Sequence, residues 1–195
     1  MARTAIDVMY EDFSGVLALL QKAGEVSLQS IVDSTFKKTL ALAAASFFED
    51  EIRRILLETV SDRSGNDELV GNFLKNKAIE RQYHTYFQWR GNNANSFFGL
   101  FGEVFRDSAV QDARNDSSLA DAIKAFLELG NTRNELAHLN FATFALDMTA
   151  EEVYRKYQTA YRFVDYLESK LKTFGKEGVQ PAGGASVPNA PQPER

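Results

Sequence analysis

Arg133, Asn134 and His138 are the residues of this chain whose types and spacing could do chemistry. They fall in the stretch Gly130-Asn131-Thr132-Arg133-Asn134-Glu135-Leu136-Ala137-His138, which holds one of only two histidines in 195 residues. An imidazole titrates near neutrality and can both take and give a proton there. A guanidinium stays charged and grips a phosphate through two parallel N–H donors. Together they suit phosphodiester cleavage in RNA. The histidine would activate the ribose 2′-hydroxyl or protonate the leaving 5′-oxygen, and the arginine would stabilise charge building on the phosphorane-like transition state. Neither role requires a metal. One imidazole does not easily serve as base and acid at once, but two copies of the segment meeting across a two-fold contact could share the roles. The chemistry therefore predicts a homodimer with a composite site. The bland alternative is that Arg133 pairs with Glu135 or a neighbouring carboxylate and His138 is a satisfied surface residue. Spacing alone favours that alternative.

Composition removes most competing chemistries. There is no cysteine, so disulfides, thiolate metal sites and a cysteine nucleophile are excluded. With only His84 and His138, a histidine-rich metal site within one chain is not expected, and no HExxH, EF-hand, GxxxxGK[ST] or GxGxxG pattern occurs. No cofactor is expected. The net charge of −5 provides no overall basic field, so contact with nucleic acid must come from local patches. The first residues, Met-Ala-Arg-Thr, lead into an amphipathic pattern, and the most apolar window, Leu40 to Phe48, is far shorter than the ~20 residues a spanning helix needs. The expectation is a soluble, cytoplasmic protein with no membrane contact.

The elements that must position Arg133 and His138 read as helices throughout. All four prolines lie at Pro181 or beyond, which permits long helices before them. Apolar residues at three-four spacing predict a first helix over about Ala5–Ala23, ended by Gly24, and a long second helix over about Leu28–Val60, capped by Ser27 or Ser30. Fifteen Phe and seven Tyr predict a core filled largely by aromatics. A shorter helix follows from Asp67. The mixed stretch Lys75–Arg90 interleaves Lys75, Lys77, Arg81, His84 and Arg90 with Tyr83, Tyr86, Phe87 and Trp89. Such a pattern can bind single-stranded nucleic acid, but burial preferences favour aromatics in the core and cations in water. After a loop at Gly91–Asn95, a helix capped by Asn95 or Ser96 carries Phe97 to Phe105, and a loop is expected around Asn115–Ser118.

The helix carrying Leu119 to Leu129 is expected to stop at Gly130 as a left-handed C′ residue. Thr132 and Glu135 form a T-x-x-E capping box that would open a new helix, with Arg133 in its first turn. The alternative is one helix running through Gly130 at a cost of ~1 kcal/mol. A second box, Thr149-Ala150-Glu151-Glu152, opens the last helix, about Ala150–Phe174. Residues 175–195 are rich in Gly, Pro, Ala and Gln and are expected to be a disordered tail. The fold class is all-α, an up-and-down bundle of five or more helices.

Arg133-Asn134 followed by Ala137-His138, late in an all-α chain of this size, resembles the HEPN superfamily, whose signature is Arg-x(4–6)-His, often with a polar residue directly after the arginine. The resemblance covers roughly residues 5 to 174 and is to the RiboL-PSP-HEPN type found in prokaryotic defence and toxin systems. It implies a metal-independent RNA endonuclease acting as a homodimer, with Arg133 and His138 catalytic and Asn134 auxiliary, and an antitoxin or defence-system protein as a further partner. A non-catalytic HEPN module that binds RNA or a partner protein is the alternative. In the HEPN toxins silenced by modification, a tyrosine lies two residues after the histidine. Here that position is Asn140, followed by Phe141. Glu49 is a second-tier candidate at the site, beside the reading of Glu49-Asp50-Glu51 as a solvated acidic end.

Overall fold

Four long helices arise where apolar residues recur at helical spacing, and short helical pieces fill the gap between the second and the last pair. The computed structural model describes residues 3–175, so the expected tail lies outside the described residues apart from Gly175. Among the described residues there are eight α-helices, one π-helical turn and no strand. They are α1 (Ala5–Lys22), α2 (Val26–Arg63), α3 (Glu68–Leu74), a π-helical turn (Lys75–Ile79), α4 (Tyr83–Tyr86), α5 (Asn95–Gly99), α6 (Glu103–Asn115), α7 (Ser117–His138) and α8 (Ala150–Thr173). No helix is long and apolar enough to cross a membrane.

Two capping boxes set helix starts. Thr149 and Glu152 exchange bonds at the head of α8, as the sequence predicts, and Thr4 does the same with Asp7 at the head of α1. Asp67 caps α3 through the Val70 N–H. The spine, α2, has 38 residues and spans about 57 Å, longer than expected. Neither Ser27 nor Ser30 caps it: Glu25 holds the cap position with no side-chain bond. The expected single helix from Asn95 through Phe105 is two, because Gly102 adopts φ 94 between α5 and α6. Neither Asn95 nor Ser96 caps α5. Ala94 is its cap residue, and Asn93 Oδ1 accepts from the Asn95 N–H instead. The loop expected at Asn115–Ser118 reduces to Asp116, which ends α6 and caps α7 through Ser118 and Leu119.

The core is aromatic. Phe48, Phe97, Phe98, Phe126, Tyr157 and Phe163 are fully buried. Phe126 of α7 meets Phe87, Phe163 and Phe48 at centroid separations of 5.0, 5.0 and 5.5 Å, the tilted or edge-on range that aromatic pairs prefer. The segment between α3 and α6 thus inserts its rings into the bundle made by α2, α7 and α8. Buried Tyr83, Tyr86 and Phe87 confirm the core reading of that stretch's aromatics. Polar ties hold the perimeter. Arg54 of α2 bonds Glu168 of α8 at 3.0 Å, Tyr157 of α8 donates to Thr4 Oγ1 at 2.7 Å, and Tyr154 donates to Asp7 at 2.8 Å.

Candidate active site

The helix bearing Arg133, Asn134 and His138 does not break. α7 runs unbroken from Ser117 to His138 through Gly130, whose φ is not positive. The expected stop at Gly130 and the capping box at Thr132 are both overturned, and the continuous alternative holds. Thr132 is buried in mid-helix and its hydroxyl donates to the Glu128 carbonyl, while Glu135 accepts from the Asn131 amide. A T-x-x-E sequence acts as a box only where the first residue leaves the helix, and here the helix arrives already formed. Gly130 is needed for a different reason. A Cβ there would lie 2.1 Å from Trp89 Cζ3 and 2.2 Å from Cε3. The indole edge occupies the space a side chain would fill.

That contact seats the second wall of the site. Trp89 also packs on Tyr83 and Phe87, at 5.3 and 5.1 Å between centroids, and its indole N–H donates to the His84 carbonyl at 3.0 Å. The segment from Arg81 to Gly91 is thereby clamped across from the last two turns of α7. Between them lies an open cleft of about 1170 Å³ lined by Arg81, His84, Arg90, Arg133, Asn134 and His138, with Glu49, Tyr83 and Glu135 contributing. Both histidines of the chain line the one cleft.

Within it, Asn134 and His138 stand one helical turn apart on the same face. Arg133 lies beside that face and its Nη1 donates to Asn134 Oδ1 at 3.2 Å, while Nη2 reaches Glu49 of α2 at 3.5 Å. The partner of Arg133 is therefore Glu49, not Glu135. Of the acidic run on α2, Glu51 turns to Arg54, Asp50 is solvated beside Arg53, and Glu49 alone lines the cleft. Glu49 departs from the rest of that run by facing Arg133 at the cleft. Beneath the Arg133–Glu49 pair, burial pushes the Tyr83 phenol well above its usual range; the Glu49 carboxylate adds to the shift and the Arg133 guanidinium opposes it. Tyr83 thus stays neutral against the pair.

His138 is the last residue of α7 and is exposed. The chain leaves it in extended conformation at Leu139, and two lysines of α2 hold the following loop. Lys37 Nζ donates to the Leu146 carbonyl at 2.6 Å, and the buried Lys38 donates to the Phe141 carbonyl at 3.0 Å with its ammonium 5.3 Å from the Phe141 ring centre. Phe141, next to the position where a modifiable tyrosine would stand, serves as part of this strap. Among the described residues, no group of three or more His, Asp or Glu is gathered as metal ligands would be.

Sequence reasoning missed His84, Arg81 and Arg90 as members of the site. They belong to the basic and aromatic stretch, but nothing local places that stretch opposite α7. The one available signal was Trp89, the only tryptophan, together with a glycine in the midst of a helical pattern about 40 residues on.

A long second helix, a helix ending in Arg-Asn-x(3)-His, and an open polar cleft at that end agree with the HEPN resemblance of the sequence. The family model for RiboL-PSP-HEPN matches residues 10–173, and the chain belongs to that family. No curated protein and no solved structure matches it.

Proposed function

We propose that the chain is a metal-independent endoribonuclease in which Arg133 and His138 act on the scissile phosphodiester and Asn134 orients Arg133. The observation that carries this reading is that the three residues matching the family signature line one open cleft, with Arg133 bonded to Asn134. His138 removes the proton from the ribose 2′-hydroxyl, or delivers one to the 5′-oxygen as it leaves. The 2′-oxygen bonds to phosphorus as the P–O5′ bond breaks, which yields a 2′,3′-cyclic phosphate and a 5′-hydroxyl. Arg133 supplies the positive charge that the transition state needs. The site works as a homodimer in which two copies of His138 divide the acid and base roles. Family type supports an effector role in a toxin or antiviral-defence system, restrained or triggered by an antitoxin or defence partner protein.

The test is RNA cleavage by purified protein in EDTA. Cutting with a 2′,3′-cyclic phosphate end is expected, and lost in His138→Ala and Arg133→Ala. Loss of cutting in chelator would sink the metal-free route, and RNA bound but never cut would leave only a binding module. Because His84 shares the cleft, His84→Asn distinguishes the source of the second imidazole. Cutting survives that change if the partner's His138 supplies it. A strictly monomeric protein at micromolar concentration would count against the shared site.

A further inference from the structure

Arg81 occupies a backbone conformation that its side chain makes unfavourable. Ile79 to Gln82 form a type II turn: Glu80 has φ −63 and ψ 129, Arg81 has φ 62, and the Gln82 N–H closes on the Ile79 carbonyl at 3.3 Å. The third position of such a turn is left-handed, where glycine or asparagine fits without strain. Strain of this kind persists only where the surrounding structure imposes it, and such residues cluster at functional sites. Arg81 is also one of three arginines among the described residues, with Arg90 and Arg114, that make neither an ion pair nor a hydrogen bond. Arg81 and Arg90 are exposed, and both line the cleft that holds Arg133 and His138. The two carboxylates of that cleft are already engaged, Glu49 by Arg133 and Glu135 by Asn131. Arg90 also lines an adjoining cleft of about 830 Å³, where Lys124 and Lys156 are both held by Glu128. Two uncompensated guanidiniums therefore stand on one wall, in a chain whose net charge is −5.

We infer that Arg81 and Arg90 form a phosphate-binding subsite for a single-stranded RNA, gripping the phosphates that flank the one presented to Arg133. The inference rests on the reading of the cleft as an RNA site. The Trp89 clamp fixes the backbone that carries both residues, and their planar donor forks match phosphate oxygens. The wall is a holding surface: it fixes the strand's register while α7 supplies the reacting groups. Arg90, at the junction of the two clefts, directs the strand onward past Asn92.

The full chain is titrated with a fluorescent single-stranded oligodeoxynucleotide of about ten nucleotides, which lacks the attacking 2′-hydroxyl, and anisotropy is followed at several NaCl concentrations. Arg81→Gly and Arg90→Gln should each weaken binding by about tenfold, as expected for losing a hydrogen bond to a charged group. The double variant should flatten the plot of log K against log salt by about 1.4, or 0.7 for each of two phosphates. Arg81→Gly should melt at or above the native temperature, because glycine accepts the left-handed turn position; its weaker binding then cannot come from unfolding. Native-like affinity and slope in the double variant would overturn the inference, as would absence of binding by the native chain. Displacement by polyglutamate as readily as by oligouridylate would also overturn it and assign the arginines to an acidic protein surface. A native chain that binds and never cuts, with both arginine effects intact, would refute the nuclease reading and leave the subsite standing.

Discussion

Gly130→Ala tests whether the Trp89 seat organises the site. In a helix interior alanine is favoured over glycine by about 1 kcal/mol, so local propensity predicts a stabilised protein. The seat predicts the reverse. The new methyl would lie 2.1 Å from Trp89 Cζ3, whereas carbon atoms rest about 3.5–4.0 Å apart, so the indole must retreat by about 1.5 Å. Tyr83, Phe87 and Phe126 pack against the ring at 5.3, 5.1 and 6.1 Å, so a retreat either presses on them or swings the indole out into the cleft and breaks these contacts. Overpacking of this kind costs about 1–3 kcal/mol, and loss of the indole bond to the His84 carbonyl adds about 1 kcal/mol. After subtracting the propensity gain, a net loss of about 2 kcal/mol is expected, or roughly 4–8 °C in Tm for a chain of this size. Trp89 is the only tryptophan, so its emission reports on the seat directly while urea or heat reports on stability. Gly15 is the control. It lies in α1 with nothing within 4 Å of an added Cβ, and Gly15→Ala should stabilise by up to about 1 kcal/mol. A Gly130→Ala protein that melts at or above the native temperature with unchanged tryptophan emission would refute the reasoning.

Glu49→Gln removes the carboxylate that competes with phosphate for Arg133, so oligonucleotide affinity should rise several-fold; a drop would show that Glu49 orients the guanidinium. Lys38→Met keeps the buried stem but strips the Phe141 carbonyl of its donor, which should cost about 1–3 kcal/mol and raise amide exchange across residues 139–146. Unchanged exchange there would mean that the strap does not hold the end of α7. Arg54, then Lys172, hold the Glu168 carboxyl down to about 2, from 4.5. Its stabilisation is therefore complete above about pH 4.5 and disappears as pH falls through 2. Because its partners are more than a third exposed, the effect is about 1 kcal/mol. Glu168→Gln should flatten the stability curve between pH 4.5 and 2, and curves that stay parallel to the native one would disprove this linkage.

Much of the scaffold could be read from local pattern because local forces set it. Three-four apolar spacing located α1, α2 and α8, and the Thr149 box marked the start of α8 to the residue. The errors cluster where a distant contact decides. Gly130 carries the usual mark of a helix end, yet its small size serves an indole about 40 residues earlier in the chain. Thr132 and Glu135 have the spacing of a capping box inside a helix that has no end there for them to cap. At the site, Arg133, Asn134 and His138 were legible because they sit within six residues of one helix. Glu49 was legible only as a second-tier candidate, and His84, Arg81 and Arg90 not at all, because only the packing of α2 and the Trp89 segment brings them to α7. The strained turn at Arg81 has no local signal either: an arginine gives no reason to expect a left-handed residue.

The first third of α2 gives the molecule an uneven resistance to opening. Its buried residues begin at Lys38, and Val26, Leu28 and Ile31 remain largely exposed. Beyond the Phe13–Phe36 stack, the outer turns of α1 and α2 lean chiefly on each other. Such a tip should open in partial-unfolding events far cheaper than global denaturation, while the cleft, built on the half of α2 that α7 and α8 enclose, stays shut. The connection at Ala23–Glu25 is thus a natural nicking site for a protease that attacks after Lys22. It is also a place where a tag or an extra domain can be spliced in without disturbing Arg133 or His138.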